Sequence, residues 1–591
     1  MKNGILTIST IFFCSIFSLY SQEESLPRWL TEEEKQQMST YQFSDYSPER
    51  GSTTPPIGNL RTMAEWEEIE YLLVAWDQNY PTTLTGIVAA AVNECKVLIL
   101  TPNENSVTSI LQNAGVAMTN VVFLDYNFNS IWLRDYAANS VYKDWNDSLI
   151  LVDWIYNRPR PLDNQAPEAY ANFLNIPIYQ MTSSPTDVIA TGGNYMTDGF
   201  GTSVSSKLIL DENAVSNNYG VTPKTDQDLN AIFNDFMGIE NYLKVERLPY
   251  DAIDHIDMQI KFIDEETLLV SEYPAGVADG PQIEANLQYL LSNFTSVYGT
   301  PYRVIRIPAP PSTSGSYPDN NGHYRTYANQ LFVNNTVIVP FYREEYDTIA
   351  QRILEEAMPG YNIVGVNVDY DSGETLIASG GAIHCITHSV GVQDPLMISH
   401  QRLRDTYDNL NAYQATAYIS HRSGISSATL YYKIGLSGTY QSIAMTDIGN
   451  EDWQAFIPAQ IGEVDVHYYI EATSNSGKSI ARPMPAPAGY WKFTVFDAAA
   501  ASLENEEIES LEVYPNPASA ITVIPVKANA NEEGLIELVD GMGRRVELIY
   551  EGKFPQGEKN HFIDANKYAK GTYSVRIVSN KRIEVHLLVI M

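Results

Sequence analysis

Cysteine is scarce: Cys14, Cys95 and Cys385 are the three in 591 residues. That is too few for a disulfide framework. Basic residues are short too, with 37 Lys+Arg against 72 Asp+Glu and a formal charge of −35. A field of that sign repels phosphate backbones and argues against nucleic acid as a partner, while it attracts cations such as guanidinium groups. Long apolar runs are also missing. Residues 5–19 are mostly apolar but short for a membrane span, and no later stretch is long enough. What is present is a chain 44% hydrophobic and 18% charged, able to bury a sizeable core. At roughly 150 residues per domain the length suits about four domains, or fewer around one enzyme body.

The two ends speak of location. Lys2, the apolar run and polar Gln22-Glu23-Glu24 read as an export signal over 1–21, cleaved after Ser21. Cys14 as a lipid-modified cysteine is opposed by bulky Phe13 and by the apolar run continuing past it. Cys95 and Cys385 remain, and in an exported chain with so few thiols each is either plain core or chemistry. Residues 511–591 hold ten Lys+Arg and ten Asp+Glu, so the acidic excess lies upstream. Short β runs at 521–527, 534–539 and 573–578 sit between Gly, Asn and Lys turns.

An Ala-then-acid stretch at 498–510 reads as a linker. Before it, 413–497 alternates strands at 415–420, 427–434, 452–457, 465–472 and 489–495, which suggests an immunoglobulin-like β-sandwich without a disulfide. The body, 60–405, follows an N-terminal segment at 22–59 and repeats strand–helix–strand units. Strands are expected at 70–76, 96–101, 120–125, 207–210, 244–248, 267–271, 302–307, 330–339 and 363–368. Helices are expected at 83–93, 105–114, 226–237, 283–297 and 346–358. Four or five similar α/β units favour a closed, propeller-like ring over one wound sheet. Residues 166–187 and 308–322 carry no such pattern and read as loops, the second as a lid.

Four segments set charged or rare residues in apolar context. Ser130-Ile-Trp-Leu-Arg-Asp-Tyr136 puts an Arg-Asp pair at an expected strand end. Asp254-His-Ile-Asp257 spaces His255 and Asp257 by two, one face of a strand. Tyr327-Ala-Asn329 leads into an apolar run, and Gly380-Gly-Ala-Ile-His-Cys-Ile-Thr-His388 brings glycines to the late cysteine. Singly, each has a structural reading: a salt bridge, a satisfied core pair, a small core thiol. Together, a Cys, a His and two Asp suit attack by a thiolate on a guanidinium carbon. The acids would hold the planar fork bidentately and the His would give a proton to departing ammonia. A zinc site would need a third ligand at suitable spacing, and none stands out.

Trp-x-Arg-Asp, Gly-Gly-Asn at 192–194, His-x-Asp, Asn329 and Gly-Gly-x-Ile-His-Cys-x-Thr resemble, in this order, the guanidino-group-modifying enzymes, in the agmatine deiminase and bacterial peptidylarginine deiminase branch. The resemblance covers 60–405. It implies a fivefold pseudo-symmetric α/β propeller with Cys385 as nucleophile and His255 as general acid/base. It also implies Asp135 and Asp257 on the guanidinium, Asn329 as a polar contact and Trp132 as a wall of the substrate channel. No calcium or other cofactor is implied. Tyr156-Asn-Arg-Pro-Arg-Pro161 bears on the substrate: two arginines would repel agmatine, whereas Arg158 and Arg160 could clamp the carboxylate of a peptide ending in arginine. They match the arginine pair of the bacterial peptidylarginine deiminases. Leu511-Glu-Val-Tyr-Pro-Asn-Pro-Ala-Ser519 and Lys570-Gly-Thr-Tyr-Ser-Val-Arg576 resemble the C-terminal sorting domain of type IX secretion, over 511–591. The expectation is a secreted or surface-attached deiminase of peptide arginine, C-terminal arginine in particular, meeting the type IX machinery. An agmatine or free-arginine deiminase and a non-catalytic surface binding protein remain as alternatives.

Overall fold

The structure is a computed structural model that describes residues 25–43, 51–370, 373–496, 508–510, 513–519, 521–528, 532–540, 544–554, 557–579 and 583–591. The expected export signal, with Cys14, lies outside these residues, as does the linker apart from 508–510. The chain divides into two compact units. One holds the residues up to Gln401 with Ile419–Ser426 and Thr473–Gly489. The other holds Arg402–Tyr418, Ser427–Ala472 and Tyr490–Met591.

The first unit is mixed α/β and carries five small sheets built to one plan. An antiparallel pair is followed by a helix and then by a strand parallel to the second member of the pair. Asn139–Lys143 pairs with Ser148–Tyr156, helix Pro161–Leu174 crosses, and Ile178–Met181 joins in parallel. The same sequence runs through Met196–Thr197, Thr202–Ser206, helix Asp226–Met237 and Asn241–Val245. It runs again through Ile260–Asp264, Thr267–Glu272, helix Gly280–Asn293 and Arg303–Pro308. Leu331–Val333, Thr336–Phe341, helix Glu344–Ala357 and Asn362–Asn367 make a fourth set. In the remaining sheet, Thr387–Gly391 pairs antiparallel with Ile69–Ala75, helix Pro81–Ala91 follows and Lys96–Leu100 lies parallel. That sheet therefore joins the two ends of the stretch 69–391.

Local chemistry explains the elements. Leu72, Leu73, Val74, Leu98 and Ile99 are fully buried, the continuous apolar character expected of strands covered on both faces. Thr225 and Asp228 form a capping box at the start of their helix, which stops at Gly238 with φ +71°. Pro81 and Pro161 stand in the first helical turn, where a missing N–H costs nothing.

The second unit is all-β. Tyr413–Ser420 pairs with Asp452–Ile457 over residues 413–418, and Val464–Ser474 with Trp491–Val495 over 464–468. Further on, Glu532–Asp540, Arg545–Phe554, Gly571–Ser579 and Ile583–Ile590 form a four-stranded antiparallel sheet. Ile536, Leu538, Val575, Ile577 and Leu588 bury its inner face with Ile524 and Val526 of a second, three-stranded sheet. Ile508–Ser510, expected as linker, pairs in that second sheet with Ile521–Ala528.

Several expectations are corrected. Residues 207–210 open the short helix Leu208–Asn213, and the strand is Thr202–Ser206. The run 330–339 is a tight hairpin turning at Asn334, φ +52°. The stretch 166–187 contains most of helix Pro161–Leu174 and strand Ile178–Met181; Pro161 and Pro167 masked that helix in the sequence. The Arg-Asp pair lies in the short helix Leu133–Tyr136, not at a strand end. Likewise, Ile256–Met258 is a 3-10 turn after Asp254 at φ +63°, so no strand face carries His255 and Asp257.

Candidate active site

The site is assembled from tight turns between the small sheets, because turns let neighbouring side chains converge where strands would alternate them. Helix Leu133–Tyr136 supplies Asp135, the turn Ile256–Met258 and its preceding residue supply Asp257 and His255, and the turn His384–Ile386 supplies Cys385. All four side chains are buried, together with Asn329. Asn329 donates from Nδ2 to Cys385 Sγ at 3.2 Å, while its Oδ1 accepts from the His384 backbone N–H at 3.1 Å. Asp257 Oδ2 lies 3.8 Å from Cys385 Sγ.

At the centre of this group is a guanidinium that belongs to the chain itself. Arg28, fully buried, donates from Nε and Nη2 to the two oxygens of Asp135 at 2.9 and 2.7 Å. Its Nη1 is 2.7 Å from Cys385 Sγ, and its Nη2 is 2.6 Å from His255 Nδ1 and 3.7 Å from Asp257 Oδ2. Arginine nitrogens only donate, so Nδ1 is the accepting nitrogen of His255. Its Nε2–H donates to Thr191 Oγ1 at 2.9 Å.

Charge follows this packing. Burial and the Arg28 cation push the His255 imidazole down to about 3. Burial pushes the Cys385 thiol up to about 12, against the pull of Arg28. Desolvation opposes charge on Asp257, but Arg28 and His384 outweigh it and hold the carboxyl far below the usual range. Asp135 is likewise lowered, by Arg28 and His255 against burial. The occupied site thus holds a cation between two carboxylates, with a neutral thiol and a neutral imidazole beside it.

Several residues without an assigned role complete the site. His384 bridges Asp257 Oδ2 at 2.8 Å and Glu65 Oε1 at 2.7 Å. Glu65 also pairs with Lys261, and Arg134 donates to the His384 carbonyl at 3.2 Å. Arg134 of the Trp-x-Arg-Asp motif therefore props the turn that carries Cys385. A Cβ on Gly193 would stand 2.1 Å from Arg28 Nη2 and 2.5 Å from His255 Nδ1. Only glycine leaves that space open.

Trp132, Arg158 and Arg160 gather around the same segment and contact its main chain. Trp132 Nε1 donates to the Leu26 carbonyl at 2.8 Å, and Arg158 Nε to the Arg28 carbonyl at 3.1 Å. Arg160 Nη2 donates to the carbonyls of Pro27 and Trp29 at 2.7 and 3.3 Å, and its Nε to Glu34 at 2.7 Å. In turn the Arg28 N–H donates to the Ser379 carbonyl at 2.8 Å. Arg28 and Glu34 carried no sequence signal: one arginine in a short N-terminal segment has no motif around it. Among the described residues no three or more His, Cys, Asp or Glu side chains are grouped to hold a metal ion.

The model of the Porphyromonas-type peptidyl-arginine deiminase family matches residues 61–390. The chain belongs to this family. A secretion system C-terminal sorting domain matches 512–591, so this deiminase family member is exported by type IX secretion, to the cell surface or beyond. No helix among the described residues is long and apolar enough to cross a membrane. A Streptococcus mutans protein assigned as an agmatine deiminase is 24% identical over 373 residues, 57% of this chain and 97% of that protein. Its counterpart in Mycoplasma mycoides is 21% identical over the same shares. An X-ray structure assigned as an agmatine deiminase is 22% identical with a TM-score of 0.50, covering 58% of this chain and 99% of that one. The agmatine deiminase of Enterococcus faecalis is 20% identical over 57% and 99%, with a TM-score of 0.47.

Proposed function

We propose that the protein deiminates peptide arginine, converting its guanidinium to the ureido group of citrulline and releasing ammonia. The observation that carries this reading is an arginine side chain of a peptide segment lying among Cys385, His255, Asp135 and Asp257 while Trp132, Arg158 and Arg160 contact the flanking main chain. A site for agmatine would have no use for donors aimed at successive carbonyls. The five sheets of common plan are read as blades of a closed α/β propeller, and 413–497 as an immunoglobulin-like domain.

In this mechanism Asp135 and Asp257 hold the guanidinium planar and cationic, which keeps its carbon electrophilic. Cys385 Sγ adds to that carbon, and the thiol proton travels through His255 to the departing nitrogen, so ammonia leaves and a thiouronium remains. Water takes the vacated position beside His255 Nδ1 and adds to the carbon. The carbon–sulfur bond then breaks, and the thiol, the ureido group and one proton result. A C-terminal arginine would set its carboxylate where the Arg28 carbonyl now meets Arg158, turning a neutral hydrogen bond into a charge-assisted one.

The test is citrulline formation from a peptide ending in arginine, the same peptide amidated, and agmatine. Preference for the free carboxylate supports the reading in full. Equal rates on the two peptides keep the deiminase and remove the carboxylate clamp. Turnover of agmatine alone overturns the peptide substrate, and no product from any of them leaves a binding protein.

A further inference from the structure

The segment that fills the site is part of the chain, and its arginine contacts each group that the proposed reaction uses. Nη1 touches the nucleophilic sulfur and Nη2 the His255 nitrogen that would protonate it, while the opposite edge, Nε with Nη2, is gripped by Asp135. Docking does not rest on the arginine alone. Glu34, on helix Glu32–Gln37, neutralises Arg160, and the same Glu34 closes a capping box with Thr31, so the helix start and the pairing to Arg160 form together. The carbonyls of residues 26–29 each have a donor from Trp132, Arg158 or Arg160.

We propose that Arg28 is the chain's own first substrate: Cys385 deiminates it in cis, and the site accepts peptides from solution only afterwards. This rests on the deiminase reading above. The step is the same reaction. The Sγ–Cζ bond forms, the Cζ–Nη2 bond breaks, and ammonia departs with the thiol proton. A water molecule then supplies the oxygen of the ureido group, the Sγ–Cζ bond breaks, and ammonia takes up the released proton. Conversion removes the positive charge that pairs with Asp135 at 2.7 Å and faces Asp257 at 3.7 Å. Two buried carboxylates are left against a neutral group, an unfavourable arrangement that expels the segment.

The experiment uses the full chain, purified promptly and sampled over time. Residue 28 is followed by peptide mapping, since trypsin cleaves after arginine but not after citrulline, and an external arginine peptide is assayed in parallel. The expected result is one citrulline at position 28 per chain, forming at a first-order rate independent of chain concentration. It is absent from Cys385→Ala and from Cys385→Ser, both checked by thermal melting. External turnover begins with a lag that matches this conversion, and Arg28→Ala shows no lag. Chains that turn over the external peptide while residue 28 is still arginine overturn the proposal and leave the deiminase reading intact. A wild-type chain that stays silent with Arg28 unmodified, beside an active Arg28→Ala, overturns it too, by making the segment a tethered inhibitor. A conversion rate that rises with chain concentration removes the cis step. If neither Arg28 nor any external peptide reacts, the deiminase reading falls with it.

Discussion

At Gly193 a side chain has nowhere to go. The smallest addition would overlap the guanidinium nitrogen that faces His255, and displacement of a reacting group by about 1 Å costs on the order of a hundredfold. Gly193→Ala should therefore lower kcat/KM for an arginine peptide by about a hundredfold or more, with some loss of Tm from the buried overlap. Arg158 meets the main chain of the segment that fills the site, at the Arg28 carbonyl. Arg158→Ala should raise KM for a peptide ending in arginine by about tenfold, the loss of one charge-assisted hydrogen bond. kcat should change little, and the amidated peptide should be affected less. Equal losses on both peptides would leave Arg158 as a main-chain contact without a carboxylate role.

At the scale of elements, strand Ser148–Tyr156 carries a carboxyl where an apolar residue would be expected. Asp153 stands beside Gln180 of the parallel strand Ile178–Met181 and accepts from its Nε2 at 3.1 Å. The other oxygen has no hydrogen-bond partner among the described residues. Burial pushes this carboxyl up to about 8. A carboxylic acid raised in the folded state keeps its proton where the unfolded chain, near about 3.9, has lost it. Its contribution to stability is therefore present at low pH and is lost progressively as pH climbs through 8. Asp153→Asn keeps an acceptor for Gln180 and removes the titration. The variant's Tm should fall less than the parent's between about pH 5 and about pH 8, and chemical denaturation at both ends checks it. A parallel fall in the two proteins would assign the slope to other buried acids.

The elements also show what was legible. Helix Asp226–Met237 and strands Thr267–Glu272 and Arg303–Pro308 were readable because periodicity and caps agree there. Helix Pro161–Leu174 was not, since two prolines inside it imitate a loop. Cys385, His255, Asp135, Asp257 and Asn329 were legible as a set through their motifs. The conformations that bring them together were hidden, because a 3-10 turn and a strand end look alike over four residues. Arg28 was invisible for another reason. Its place is fixed by tertiary contacts to residues more than a hundred positions away, which no local pattern records.

For the whole molecule, the formal charge of −35 lies upstream of residue 511, on the part of the chain that contains the site. A cationic substrate is drawn toward such a body before it finds the site, and salt weakens the pull. kcat/KM for an arginine peptide should fall several-fold between about 0.01 M and about 0.15 M salt, with kcat nearly constant. A kcat/KM indifferent to salt would mean that the charge serves solubility alone.

The strand that follows Cys385, Thr387–Gly391, pairs with Ile69–Ala75, so strands from near the two ends of the family region meet beside that cysteine. This pairing sets a clock on the chemistry. While the chain is being made, or while it is held unfolded for transport, the thiol has no acids, no imidazole and no neighbouring strand around it. On the deiminase reading, an incomplete copy ending before this strand should be inert however much of the rest has folded. On that reading, the cell's own arginines are thus spared until the two distant ends of the region come together.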